Sequence, residues 1–399
     1  MKAYLEVLRI PTARHLVLAA FPARFAYGMI GLGLYWKIYH VTHSFSISGL
    51  AIGINAVAGS LTTGIRSNAL ERWGLKWPLR VLVPAYALSI LLVNAMTNQG
   101  ALVIAAGILG IAAPPINLSV RPMWKFAVPQ EQMRTALALD TATMNFAQII
   151  GPVVVTPIAL SSHSGWALGT CAFFVLFGGI GLSLLSITKE WRAEERPERR
   201  TRIFRVPGIR VLVVEGIFIG LGAGAFNIAV PALATIKHVE GFTAWIFASQ
   251  SLAMILGSLI AGVFAKHITP LRAFTRNYYF WALAGVPLAL TNPNWSMLIV
   301  AFVIGLFVGA QQVYYLEIIE AVRPFGTSAS ALGWMWTIEG SAAALGSALG
   351  GFLSQNFSPR ICLGFNTLTV IGGLATVLIG QRFLLKADRL HTASENEGN

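Results

Sequence analysis

The chain has 399 residues, 55% of them hydrophobic and only 11% charged, with 29 Lys and Arg against 16 Asp and Glu and a net charge of +13. A water-soluble domain carries about 25% charged residues, so these side chains are too few to coat a water-facing surface. A nucleic-acid reader would gather its Lys and Arg on one folded face. Here they fall between apolar runs, which excludes that partner class and predicts an all-α membrane protein.

In chain order, the segment MKAYLEVLRIPTARHLVLAAF is basic and then apolar, and the apolar part runs on past Arg24 without a small-residue cleavage site, so no cleaved signal peptide is expected. Crossing about 30 Å of hydrocarbon takes roughly 20 apolar residues. Runs of that kind predict spans over 14–38, 46–66, 77–97, 101–120, 134–159 and 165–187. A polar, basic linker follows over 188–209, and six more spans are predicted over 210–236, 243–265, 274–291, 295–319, 327–355 and 359–383. The chain is thus expected to form twelve transmembrane helices in two six-helix halves, 1–187 and 210–385, with a polar tail over 386–399. Cys171 and Cys362 each sit inside an apolar run and are read as packing residues.

With an even number of spans both ends lie on one side. Every Lys and Arg then falls on that side except Lys37, Lys237 and Arg360 opposite and Arg24 within span 1. By the positive-inside rule this places both termini and the linker in the cytoplasm, in a multi-pass cell-membrane protein. The halves also repeat. Pro11 and Arg14 of RIPTARHLVL correspond to Pro207 and Arg210 of RVPGIRVLVV, an offset of 196 residues that Gly28 and Gly224 keep. GSLTTG from Gly59 and GSLIAG from Gly257 stand at corresponding points of spans 2 and 8. Such internal repeats mark many transporter folds.

The segment GIRSNALERWGLKWPLR from Gly64 resembles the loop between helices 2 and 3 of the major facilitator superfamily, a Gly followed by an Asp-Arg pair, an aromatic, a Gly and basic residues. Glu71, Arg72, Trp73, Gly74 and Lys76 take the matching places, with Glu71 where that family has Asp, and the counterpart GVFAKHITPLR from Gly262 is degenerate. In span 5, Gly151 and Pro152 of NFAQIIGPVVVTP resemble the Gly-Pro motif of that family's drug and proton antiporters, without its fuller glycine pattern. ARFAYGMIGLGLYW, VRPMW and ALALDTATMNFAQIIGP together are similar to actinobacterial members of the family, a likeness that names no substrate. The resemblance covers nearly the whole chain and implies a secondary transporter whose helix 1 lines the central cavity and whose helix 11 flanks it.

Charge at the centre of a bilayer costs about 2.5–3.5 kcal/mol on insertion scales, so an ionisable residue there has a partner, a water-filled cavity or a task. Arg24 lies about 15 Å into span 1 and Glu339 about 18 Å into span 11, at about 1.5 Å per residue. They are read either as a cavity counterion and a protonatable coupling site, or as a structural ion pair or separate packing sites. Asp140 in span 5 shares its helix with Asn145; it is read as a gate or structural network, with proton coupling as the alternative. Glu215 in span 7 is expected to pair with a loop arginine. Arg121 and Glu317 end spans 4 and 10 at the repeat offset and are candidates for a charge gate at the cytoplasmic mouth. Gln311, Gln312 and Trp336 are candidate cavity groups. Pro114 and Pro115 in span 4 and Pro231 in span 7 remove backbone donors and predict broken or bent helices.

No G-x-x-x-x-G-K-[ST] phosphate loop, H-E-x-x-H pair or Cys cluster is present in the sequence, so neither an in-chain ATPase nor a metal site is expected. The expectation is proton-coupled export of a small amphipathic or hydrophobic molecule by a monomer in contact with membrane lipid, driven by the proton gradient and needing no cofactor. The rivals are uptake of a polar or anionic solute anchored on Arg24, and a lipid flippase. A membrane-embedded lipid-modifying enzyme needs a clustered nucleophile and base, and the acids here are scattered.

Overall fold

The computed structural model describes residues 2–190, 203–264, 269–323 and 328–385. Its helices are α1 (Lys2–Arg9), α2 (Pro11–Thr42), α3 (Phe45–Trp73), α4 (Lys76–Ala95), α5 (Gln99–Ala112), α6 (Ile116–Ala127), α7 (Met133–Leu160), α8 (Gly165–Leu184) and α9 (Ile187–Glu190), then α10 (Pro207–Ile236), α11 (Phe242–Phe264), α12 (Pro270–Gly285), α13 (Trp295–Val322), α14 (Ser328–Asn356) and α15 (Pro359–Leu384). Each predicted span has its helix, with span 4 divided into α5 and α6. Nine of the described helices are long and apolar enough to cross a membrane. The tail 386–399, most of the linker and residues 324–327 of the predicted eleventh span and the loop before it lie outside the described residues.

Local chemistry sets the helix ends. Proline, whose missing N–H costs nothing in a first turn, opens α2, α10, α12 and α15. Asn98 caps α5 by accepting from the Gly100 and Ala101 N–H groups, and Asn294, 196 residues on, caps α13 through the Ser296 N–H. One expectation needs correction. The motif after Gly64 is helix rather than loop as far as Trp73, because no breaker precedes Gly74, which turns the chain at φ +72°. Pro231 does not break α10, which continues to Ile236, whereas Pro114 and Pro115 together divide span 4.

At Gly74 no atom beyond the local chain lies within 4 Å of a built Cβ, so the left-handed backbone alone demands glycine. Gly74→Ala is expected to lower stability by about 1–2 kcal/mol, read as a lower melting temperature of the purified protein.

The chain divides into two compact units, residues 1–43 with 54–196, and residues 44–53 with 197–399. Residues 44–53 join the second unit because the Phe45 N–H donates to Gln355 Oε1 at 2.8 Å and Ser46 Oγ to the Gly351 carbonyl at 3.3 Å. In unit 1, α2 packs on α7 and α8, and α8 on α4; in unit 2, α10 packs on α14 and α15, and α15 on α12. The repeat reaches single backbone contacts. A Cβ on Gly28 would overlap the Ala147 carbonyl and one on Gly224 the Ala343 carbonyl, 196 residues on; Gly59 faces Gly110 as Gly257 faces Leu306. Two pseudo-symmetric bundles are therefore built on the same glycine-mediated helix crossings, where a missing side chain lets backbones approach.

Candidate functional site

Unit 1 holds a buried charge cluster where α2, α6 and α7 meet. Arg24 Nη2 lies 2.8 Å from Asp140 Oδ1, and both side chains are almost wholly buried. The guanidinium also donates to Asn117 Oδ1 at 3.1 Å, Thr143 Oγ1 at 3.2 Å and the Asp140 carbonyl at 3.3 Å. Trp124 Nε1 donates to Asp140 Oδ1 at 2.9 Å. The charges neutralise each other with their hydrogen-bonding capacity largely met, the condition under which a buried pair is tolerated. Arg24 is thus engaged by Asp140, and it is not among the residues lining the cavity described below.

A second polar feature sits at the break in span 4. The carbonyls of Ala113 and Pro114 accept from Arg66 Nη1 and from the Tyr27 hydroxyl, the latter at 2.5 Å. Backbone acceptors freed at a helix break inside a bilayer need such partners. Arg66, placed by sequence at the cytoplasmic end of span 2, lies within α3 and reaches this break and the Gly59 carbonyl.

Unit 2 contains a cavity of about 320 Å³, lined by Glu215, Ile219, Trp281, Gln311, Gln312, Tyr315, Trp336 and Glu339 among others. Among the described residues Glu215 does not pair with a loop arginine. It is buried and accepts the Tyr278 hydroxyl from α12, a partner that no spacing in the sequence connects to it. Glu339 has no hydrogen-bond or ion-pair partner among the described residues, and the two carboxylates are near enough to interact electrostatically. Asn277 Nδ2 donates to Gln311 Oε1 at 2.6 Å and to the Phe307 carbonyl at 2.9 Å, which fixes the Gln311 amide. The Tyr315 hydroxyl and Gln311 Nε2 are buried without hydrogen-bond partners among the described residues. Among the described residues no Lys, Arg or His lines the cavity.

The cavity thus gathers Glu339, Gln311, Gln312 and Trp336 and adds Glu215, Trp281 and Tyr315. Asn145 is half-buried on α7, Arg121 is exposed on α6 and Glu317 is half-buried on α13; none lines the cavity. Gly151 serves as a helix crossing, since a Cβ there would strike the Gly28 backbone, and Pro152 is buried within an unbroken α7. Arg72 is exposed at the end of α3, and the Glu71 side chain lies outside the described residues. Sequence reading passed over Asn117, Trp124, Thr143, Asn277 and Tyr278. The repeat offset carried a signal for one of them, because Thr143 occupies in α7 the place that Glu339 occupies in α14.

The family model of the Major Facilitator Superfamily matches residues 16–242. No curated protein matches the chain in sequence. Among solved structures, a mutant form of the nucleoside transporter NupG superposes with a TM-score of 0.78 at 13% identity, covering 92% of this chain and 99% of that one. The peptide transporter POT in complex with sulfate gives 0.76 at 13% identity, with 95% of each chain covered. A bacterial homologue of the iron transporter ferroportin in an inward-facing state gives 0.74 at 10% identity, over 92% of this chain and 98% of that one. With the family model spanning more than half its length and two related helical bundles behind it, the chain is a membrane transporter, not an enzyme, and belongs to the Major Facilitator Superfamily.

Proposed function

We propose that this transporter couples the export of a small amphipathic molecule to proton entry, by alternating access, in a cell membrane with both termini cytoplasmic. The observation that carries the reading is the cavity with two carboxylates and, among the described residues, no basic one. A carboxyl group can gain and lose a proton during a transport cycle, which an arginine in practice cannot. The indoles of Trp281 and Trp336 and the side chains of Ile219, Val308 and Leu316 give the same cavity an apolar wall. The distribution of Lys and Arg supports the orientation. The protein acts as a monomer, since one chain supplies both related halves, and the proton gradient replaces any bound cofactor. Uptake of an anionic solute on Arg24 finds less support, because Asp140 already neutralises that charge.

The test is solute-elicited proton movement in proteoliposomes holding a pH dye, using amphipathic dyes of either charge. Wild-type protein is expected to move protons with solute, and Glu339→Gln to slow the coupled flux about tenfold or more, the equivalent of about 1.4 kcal/mol. Transport indifferent to the pH gradient would count against the proposal.

A further inference from the structure

We infer that the substrate is a monovalent organic cation, held by the Glu215 and Glu339 carboxylates and faced by the Trp281 and Trp336 indoles; the inference rests on the transport reading above. The charge of the cavity argues first. Among the described residues two acids and no bases line it, and Glu339 has no partner there. A carboxylate withdrawn from water without a counterion is costly, so a proton or a cation has to stand beside it. Shape and surface argue next. A volume of about 320 Å³ matches small organic ligands, whose pockets start near 300 Å³. Calcium or magnesium takes six or more oxygen ligands at about 2.0–2.6 Å; here two carboxylates stand among the apolar walls of Ile219, Val308 and Leu316, and among the described residues no group of three or more His, Cys, Asp or Glu comes together. Indole faces attract organic cations, Trp more than Tyr or Phe, and both Trp336 and the buried Trp281 are among the residues that line this cavity.

The donors complete the description. Among the described residues Tyr315 Oη is buried without an acceptor, and Asn277 holds the Gln311 amide in place beside it on the cavity wall. They suit a cation that also carries an acceptor oxygen or nitrogen. Charge balance sets the exchange. When the cation enters, one carboxyl proton leaves, so the site keeps its net charge and the exchange is one for one. Glu215 is faced by Tyr278 of α12, Tyr315 of α13 and Glu339 of α14; α15, also packed on α10, adds no lining group among the described residues.

The experiment compares isosteres on the full chain in lipid nanodiscs. Methyltriphenylphosphonium is paired with neutral 1,1,1-triphenylethane, and benzyltrimethylammonium with neutral neopentylbenzene, with quenching of tryptophan fluorescence as the readout. Each cation is expected to bind about tenfold or more tighter than its neutral partner, and acidification to remove that preference. Glu339→Gln is expected to abolish the preference. Glu320→Gln, at the exposed end of α13, is expected to leave both intact. Equal affinity for isosteres, failure of both cations to bind, or a preference untouched by Glu339→Gln would overturn the assignment. Should Glu339→Gln not elute as a folded species, the wild-type preference and its loss in acid decide the matter. Proton movement in proteoliposomes separates the two readings. If neutral isosteres elicit it and cations do not, the cation assignment falls and the transporter stands. If cations bind at the carboxylates and nothing elicits proton movement, the coupled-transport reading falls and the cation site stands.

Discussion

Asp140→Ala is expected to cost about 3–5 kcal/mol, the penalty for leaving one member of a buried ion pair without its partner. The substitution strands the Arg24 guanidinium, which is 3% exposed and cannot shed its charge, and takes the acceptor from Trp124 Nε1. Arg24→Met is expected to cost less. Asp140 then keeps its hydrogen bond from Trp124 Nε1. The double variant Arg24→Met with Asp140→Leu is expected to recover most of the loss, since apolar replacement of a whole buried pair is often neutral or stabilising. Thermal unfolding of the purified proteins, followed by size-exclusion chromatography after heating, checks the order. Equal losses in the two single variants would mean that the pair carries no such asymmetry.

The second large effect is expected at a helix crossing. A Cβ on Gly224 would overlap the Ala343 carbonyl oxygen and crowd the Ser347 N–H, both rigid backbone atoms of α14. Gly224→Val therefore has to part α10 from α14, and overpacking of this kind costs about 1–3 kcal/mol and often more where backbone is the obstacle. Because Glu215 and Glu339 sit on those same two helices, the carboxylates should separate as well. Gly31→Val is the control, since nothing lies within 4 Å of a Cβ there. The expected result is a loss of folded yield for the first variant and a normal yield for the second.

Much of this architecture was legible in the sequence because a bilayer demands continuous apolar length, and twelve such runs stand out. The repeat was legible because related crossings demand glycine at related places, as at Gly28 and Gly224. The broken fourth span could be read from Pro114 and Pro115, although not the side chains that satisfy it. What stayed hidden were partnerships between helices far apart in the chain. Arg24, Asp140 and Glu215 were all noticed as charges, yet spacing along one helix says nothing about which residue of another helix it will meet. Tyr278 was overlooked because a tyrosine in a span reads as packing until its hydroxyl is seen on Glu215. The helical form of the segment after Gly64 was missed for a different reason, since basic residues suggested a loop although no breaker was present before Gly74.

The Arg24–Asp140 pair also bears on how the protein is made. Arg24 precedes Asp140 by 116 residues, so at about 5–20 residues per second the arginine waits roughly 6 to 23 s for its partner to leave the ribosome. Throughout that interval the charge on α2 lacks the partner it has in the finished fold. That helix, apolar enough to cross a membrane by itself, is therefore fully seated only when the fifth span arrives, and a ribosome stalled before Asp140 is expected to leave it more easily extracted by alkaline carbonate than it is in the finished chain.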